Sequence, residues 1–144
     1  MRSIAFAGDY RVVTSNKPGL RVGTVVGFDA VLAHMRDHYQ QPMTNQQLAA
    51  VSMMSLRAFE RQFVAGFHLP PQKYLRKLRL RIASRALIYT DESLSEIALD
   101  CGFADQSHFS REFRRQFGRT PRAYREHYKT AAGVPVTKSA GRKQ

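Results

Sequence analysis

The 144-residue chain has little cysteine, few acidic residues and no long apolar run. Its single cysteine, Cys101, excludes an internal disulfide and fits a reducing compartment. No apolar run approaches the roughly 18 residues of a membrane-spanning helix, and no signal-peptide segment follows Met1. Together these absences predict a soluble cytoplasmic protein.

The shortage of acidic residues leaves the chain strongly basic. Its 23 Lys and Arg residues against 11 Asp and Glu give a net charge of +12 with neutral His. Such a charge suggests a polyanionic partner, with nucleic acid as the first candidate and an anionic membrane as the second. Many soluble proteins also carry solvated basic faces, so the charge alone does not decide the function.

The spacing of apolar residues changes at the ends of the chain. The β-rich runs "YRVVTS" and "LRVGTVV" flank the turn "NKPG", so residues 1–28 are predicted to form an extended or β N-terminal extension. Residues 29–128 follow a helical period, with breaks at prolines and glycines. Residues 129–144 are small, polar and basic, and are predicted to be disordered.

One pattern occurs twice within the helical part. Thr44 and Ser93 are each the first residue of a capping box. A short helix follows each of them, and a turn then leads to a second helix. These second helices, in "SLRAFERQFVAGF" and "DQSHFSREFRRQF", carry three phenylalanines at intervals of four residues. The repeat predicts two helix-turn-helix units, at about 44–66 and 93–117.

Two prolines mark the remaining helices. Pro71 suits the first position of a long linker helix over about 71–89, and Pro121 opens a last helix to about residue 128. With the helix that starts near Asp29, the predicted fold is all-α, with about seven helices.

The phenylalanine rows are predicted to face the core, because burying one such side chain contributes roughly 1.5–3 kcal/mol. Arg61 and Arg111 then lie on the opposite, solvent-exposed faces, where an arginine can pair bidentately with guanine in the DNA major groove. The residues predicted to form the core are Leu48, Ala49, Phe59, Phe63, Ile97, Ala98, Gly102, Phe103, Phe109, Phe113, Pro121 and Tyr124.

The segments "LAAVSMMSLRAFERQF", "PPQKYLRKLRLRIASRAL" and "SEIALDCGFADQSHFSREFRRQFGRTPRAYR" resemble the DNA-binding domain of the AraC/XylS family of bacterial transcriptional regulators. The resemblance covers residues 29–128. It implies two helix-turn-helix units that bind adjacent major-groove segments of an operator or promoter. A linker helix of about 28 Å is compatible with the roughly 34 Å between successive major-groove faces. One departure is His68, which stands where the second copy has Gly118.

The resemblance also implies that the second helix of each unit contacts bases. The expected base-reading residues are Arg57, Glu60 and Arg61 in the first unit, and Gln106, Ser107, Ser110 and Arg111 in the second. Phosphate contacts are expected for Arg79, Arg114 and Arg115. In the alternative, Arg61 and Arg111 cap neighbouring carbonyls or pair with Glu60 and Glu112, and Glu60 is solvated or orients an arginine.

Other functional classes stay open at this point. The same helices could hold DNA or RNA without reading bases, as an architectural protein does, or could serve as a protein-interaction module. RNA polymerase is a candidate second partner, and the bacterial nucleoid is the expected location. Two units joined head-to-tail allow a monomer to bind an asymmetric site, and the oligomeric state is left open. Residues 1–27 are too short for a sensing domain, so the chain is a stand-alone binder or part of a longer regulator.

No catalysis, cofactor or metal is predicted. Ser107 and His108 are adjacent on a helix, so their side chains point about 100° apart and do not form a catalytic pair. His34 and His38 have the spacing of metal ligands but lack a third ligand nearby. Cys101 has no second cysteine with which to form a redox pair or a zinc site.

Overall fold

The structure is a computed structural model that describes the backbone of residues 22–131. Over this range it contains seven α-helices and no β-strand, which confirms the all-α prediction. The helices are α1 (Val22–His38), α2 (Asn45–Val51), α3 (Leu56–Phe67), α4 (Pro71–Tyr89), α5 (Leu94–Asp100), α6 (Gln106–Phe117) and α7 (Pro121–Ala131).

The structure corrects the predicted ends of the helical part. Helix α1 begins at Val22, so the prediction of β structure in "LRVGTVV" is wrong from Val22 onward. The preference of β-branched residues for strands depends on context and yields to the helix that continues into the core. Helix α7 continues to Ala131, so the prediction of disorder is wrong for residues 129–131. The other residues of the predicted extension and tail lie outside the described range.

The chain forms two compact units, Met1–Arg76 and Lys77–Gln144, and α4 contributes residues to both. In the first unit, α2 packs against α1 and α3. In the second unit, α6 packs against α5 and α7. The described residues of each unit therefore form a small helical bundle around a helix-turn-helix.

The turn after the short helix is built in the same way in both units. The Met54 amide donates to the Ala49 carbonyl at 3.0 Å, and the Phe103 amide donates to the Ala98 carbonyl at 2.9 Å. The residue before each of these amides has a positive φ, 60° at Met53 in the first unit. Since Ser55 and Asp105 then cap the second helices, the extra residue of the second copy lies directly after the turn.

The aromatic cores of the two units also match. The rings of Phe63 and Tyr74 are 5.5 Å apart at an interplanar angle of 85°. Those of Phe113 and Tyr124 are 5.1 Å apart at 86°. Edge-to-face pairs of this kind contribute about 0.5–1.5 kcal/mol beyond the area that they bury. Repeated geometry at repeated residues shows that the two copies share one packing solution.

The predicted core residues lie inside the units. Ten of the twelve are buried, and the other two, Gly102 and Tyr124, are half-buried. Phe28 of α1 also belongs to the first core, although it was not among the predicted core residues. Its ring lies 5.5 Å from the rings of Phe63 and Phe67.

Helices α3 and α6 end in the same left-handed conformation with different residues. His68 has φ 66° and ψ 20°, and Gly118 has φ 78° and ψ −2°. A Cβ at position 118 would meet nothing within 4 Å, so only the backbone conformation opposes a side chain there. The two positions form a matched pair for measuring strain.

We expect Gly118→Ala to lower the free energy of unfolding by about 1 kcal/mol, because an L side chain disfavours the left-handed region. His68→Gly should raise it by about 0.5 kcal/mol, because glycine removes that strain but gains freedom in the unfolded chain. Denaturant unfolding of the two variants measures both changes. Two changes of the same sign would contradict this account of the caps.

Candidate nucleic-acid interface

Five arginines of α3 and α6 are exposed, and four of them form the candidate interface. Arg57 and Arg61 lie on α3, and Arg111 and Arg114 lie on α6. In the described part of the chain, none of the four has a hydrogen bond or ion pair from its guanidinium to another residue. The alternative in which Arg61 pairs with Glu60, or Arg111 with Glu112, therefore does not occur among these residues. Their donors are available to a ligand.

The caps of α3 and α6 fix the first turn of each helix. The Ser55 hydroxyl accepts a hydrogen bond from the Ala58 amide at 3.2 Å. A carboxylate oxygen of Asp105 accepts one from the His108 amide at 2.8 Å. Such caps satisfy amides that have no partner within the helix, and an aspartate also interacts favourably with the helix dipole. The caps therefore set the direction in which the first exposed side chains leave each helix.

Glu60 is half-buried beside the arginine face and is linked to α2. Its Oε2 accepts a hydrogen bond from Asn45 Nδ2 at 2.8 Å. Asn45 Oδ1 in turn accepts one from Gln72 Nε2 at 2.9 Å. Neither amide was a predicted site residue, because they approach Glu60 only through the tertiary fold.

The predicted polar readers of the second unit lie at the start and middle of α6. Ser107 is exposed, whereas Gln106 and Ser110 are half-buried. The Ser95 hydroxyl donates to Gln106 Oε1 at 2.9 Å. This bond occupies the amide oxygen of Gln106 and leaves its nitrogen as a donor.

The two remaining predicted phosphate contacts have partners within the chain. Arg115 Nη1 lies 3.1 Å from Glu112 Oε2, with the arginine side chain 73% exposed and the glutamate side chain 14% exposed. Arg79 is half-buried and also takes part in an interaction within the protein. As phosphate contacts, both residues stay predictions.

In each unit, the helix after the helix-turn-helix (α4 or α7) is hydrogen-bonded to the residue that precedes the cap of the short helix (α2 or α5). In the first unit, Gln72 Nε2 donates to the carbonyl of Met43, one residue before the Thr44 cap. In the second unit, Arg125 Nη2 donates at 2.8 Å to the carbonyl of Glu92, one residue before the Ser93 cap. The two tethers therefore reach the same point of the repeat from different residues.

Arg125 makes two further bonds that close the end of α4. Its Nε donates to the carbonyl of Leu87 at 2.9 Å, and its Nη2 donates to the carbonyl of Thr90 at 3.1 Å. Burial lowers the pKa of this guanidinium, and the charges of Asp91 and Glu92 oppose that shift. Lys129, which is 3% exposed, bonds to Asp91 and Thr90 beside it and accounts for the longer α7.

Arg125→Ala should lower the free energy of unfolding by about 2–3 kcal/mol. The change removes the charged donor of the Leu87 and Glu92 carbonyls, and it removes one of the two charged donors of the Thr90 carbonyl. The matched control is Arg122→Ala on the same helix, which removes only an exposed pair with Glu126 at 3.9 Å. That change should cost less than about 0.5 kcal/mol. Denaturant unfolding measures both, and equal losses would contradict the clamp.

Metal-ligand clusters and membrane-spanning helices were sought in the described part of the chain. The His34 and His38 rings stack 4.5 Å apart, but no group of three or more metal-ligating side chains occurs between residues 22 and 131. No helix in that range is both long enough and apolar enough to cross a membrane. Cys101 is 2% exposed.

Comparisons with known proteins agree with this geometry. Residues 48–127 match the family described as a helix-turn-helix domain. The HTH-type transcriptional activators RhaS of Enterobacter sp. (strain 638) and Klebsiella pneumoniae (strain 342) are each 42% identical over 96 residues, covering 67% of this chain. The chain spans only 34% of the length of these relatives.

Two solved structures share the fold. The DNA-binding domain of AdpA, a global transcriptional factor solved with a target DNA, has a TM-score of 0.71 and 32% identity. The matched region covers 76% of this chain and 98% of the AdpA domain. An AraC-type regulator from Chromobacterium violaceum has a TM-score of 0.69 and 31% identity, covering 74% and 96%.

Two capped helices with exposed arginines define a protein of the double helix-turn-helix class. Within that class, the chain belongs to the AraC-type helix-turn-helix family of transcription regulators.

Proposed function

We propose that this chain is a sequence-specific DNA-binding module of a transcription regulator, which inserts α3 and α6 into the major groove of double-stranded DNA. The observation that carries the proposal is the duplicated exposed face, where Arg57, Arg61, Arg111 and Arg114 have no partner within the described chain. The arginines neutralise phosphates and pair with guanine edges, and no catalytic step is involved.

The relatives support this function. The RhaS proteins are transcriptional activators by name, and the AdpA domain was solved on its target DNA. By analogy, this module acts at an operator or promoter and has RNA polymerase as a second partner. It works in the bacterial cytoplasm, at the nucleoid.

Polar, uncharged side chains favour sequence reading over simple attachment to the DNA backbone. Ser107 is exposed in the first turn of α6, and Gln106 has its amide oxygen held by Ser95. Phosphate binding alone needs positive charge, whereas base edges are discriminated by donors and acceptors in fixed places. The non-specific architectural function is therefore the second candidate.

Selection of bound duplexes from random DNA by the full chain should yield one asymmetric consensus with two parts about ten base pairs apart. The two parts are expected because each unit carries its own reading helix. A flat sequence profile with a steep salt dependence would favour the non-specific candidate instead.

Arg111→Ala should reduce discrimination at one or two base pairs of that consensus by about 1–3 kcal/mol. Arg114→Ala should instead weaken binding to all sequences alike and lower the slope of log K against log salt by about one. Competition binding at several salt concentrations separates the two effects. A uniform loss for Arg111→Ala would place that residue among the phosphate contacts.

A further inference from the structure

Glu60 is an acidic residue beside the candidate DNA face and, unlike Glu112, it pairs with no arginine of the described chain. At about 100° per residue it projects about 60° from Arg57 and about 100° from Arg61 around the axis of α3. A carboxylate near a polyanion is electrostatically unfavourable unless it meets a specific donor. Its surroundings indicate which donor that is.

Three hydrogen bonds lead from the backbone to this carboxylate. Gln72 Nε2 donates to the Met43 carbonyl and to Asn45 Oδ1, each at 2.9 Å, and Asn45 Nδ2 donates to Glu60 Oε2 at 2.8 Å. All three bonds are partly buried. The chain of bonds therefore connects the start of α4, the start of α2 and the middle of α3.

Chemistry fixes the direction of this network. A backbone carbonyl can only accept, so the Gln72 amide must present its nitrogen to Met43. The same nitrogen reaches Asn45, which must then present its oxygen to Gln72 and its nitrogen to Glu60. An ionised carboxylate also only accepts, so both ends of the network demand the same orientation of the two amides.

The network holds Glu60 without neutralising it. Its partner is a neutral amide, and no arginine of the described chain pairs with it. One oxygen is thereby fixed, and the other remains a charged acceptor beside the arginine face. A fixed carboxylate accepts from an exocyclic amino group and is repelled by the acceptor edges of guanine and thymine.

Cytosine fits this acceptor better than adenine. In the major groove, cytosine presents its N4 amino group, whereas adenine presents the N7 acceptor next to its N6 amino group. We propose that Asn45 and Gln72 are positioning residues that hold Glu60 as an acceptor for cytosine N4 at one base pair. This inference rests on the proposed function and adds a base preference to it.

The preference should belong to the first unit alone. In the second copy, Leu94 stands in the place of Asn45 and Ser110 in the place of Glu60. Neither residue offers the donor or the carboxylate of the first unit. The cytosine should therefore fall in only one of the two parts of the consensus.

The test is random-sequence selection with the full chain, followed by competition binding to the four duplexes that differ at the cytosine position. The wild type should prefer C·G about tenfold over the other pairs. Glu60→Ala should abolish that preference and leave the other positions of the consensus unchanged.

Asn45→Asp is the sharpest variant for the positioning role. It keeps the oxygen that Gln72 uses and suits a helix N-terminus, but it sets a second carboxylate against Glu60. The preference should fall from about tenfold to about twofold or less. In the Glu60→Ala background the same change should have no further effect on that position, since no carboxylate remains to be positioned.

Two other variants complete the design. Gln72→Ala removes the anchor of Asn45 without changing any residue of α2 or α3. It should weaken the same preference even if Asn45→Asp does not fold. Gln46→Ala is the matched control, because it removes an exposed side chain from the same turn of α2. It should leave the preference at about tenfold.

The outcomes distinguish a failure of the proposed function from a failure of this inference alone. A wild type without any consensus would overturn the proposed function. A consensus in which no position depends on Glu60, or in which the dependent position prefers a base other than cytosine, would overturn this inference alone. A preference that survives both Asn45→Asp and Gln72→Ala would remove the positioning role.

Discussion

The burial of the phenylalanine rows on α3 and α6 is the constraint on which the rest of the structure depends. Because residues four apart share one face of a helix, the rows commit one side of each helix to the core and the opposite side to solvent. Phe59, Phe63, Phe109 and Phe113 have no exposed surface. Arg61 and Arg111 are exposed for the same geometric reason.

The two units form the same left-handed turns with different residues, and the conformational strain of these turns differs between the units. Where the second unit has Gly102 and Gly118, the first has Met53 and His68, all with positive φ. Met53 is 91% exposed, so its side chain gains little from packing to offset the conformation. The rest of each unit, above all the aromatic core, imposes the turn on these residues.

Local signals made much of the fold predictable from the sequence. The capping boxes predicted the repeat, and Pro71 marked the start of α4. The ends of the helical part were missed, because the β-branched "VGTVV" favours a strand locally and because Lys129 bonds to Asp91, 38 residues away. Local pattern carries no information about such partners.

The candidate site was also predictable from the sequence only in part. The exposed arginines follow from the period of the phenylalanines, so the sequence alone placed them on the outer face. The bonds of Asn45 to Glu60 and of Gln72 to Asn45 join residues 15 and 27 positions apart, and no spacing rule indicates them. The candidate DNA face therefore combines side chains that the sequence reveals with partners that only the fold brings together.

The most direct test of the central claim is an NMR titration of the full chain with its selected duplex. We expect the guanidinium signals of the exposed arginines on α3 and α6 to shift on binding, while the ring signals of Phe63 and Phe113 keep their free-state positions. Static arginine signals, with large changes at the buried rings, would show that DNA binds elsewhere or that the aromatic rows do not form the core.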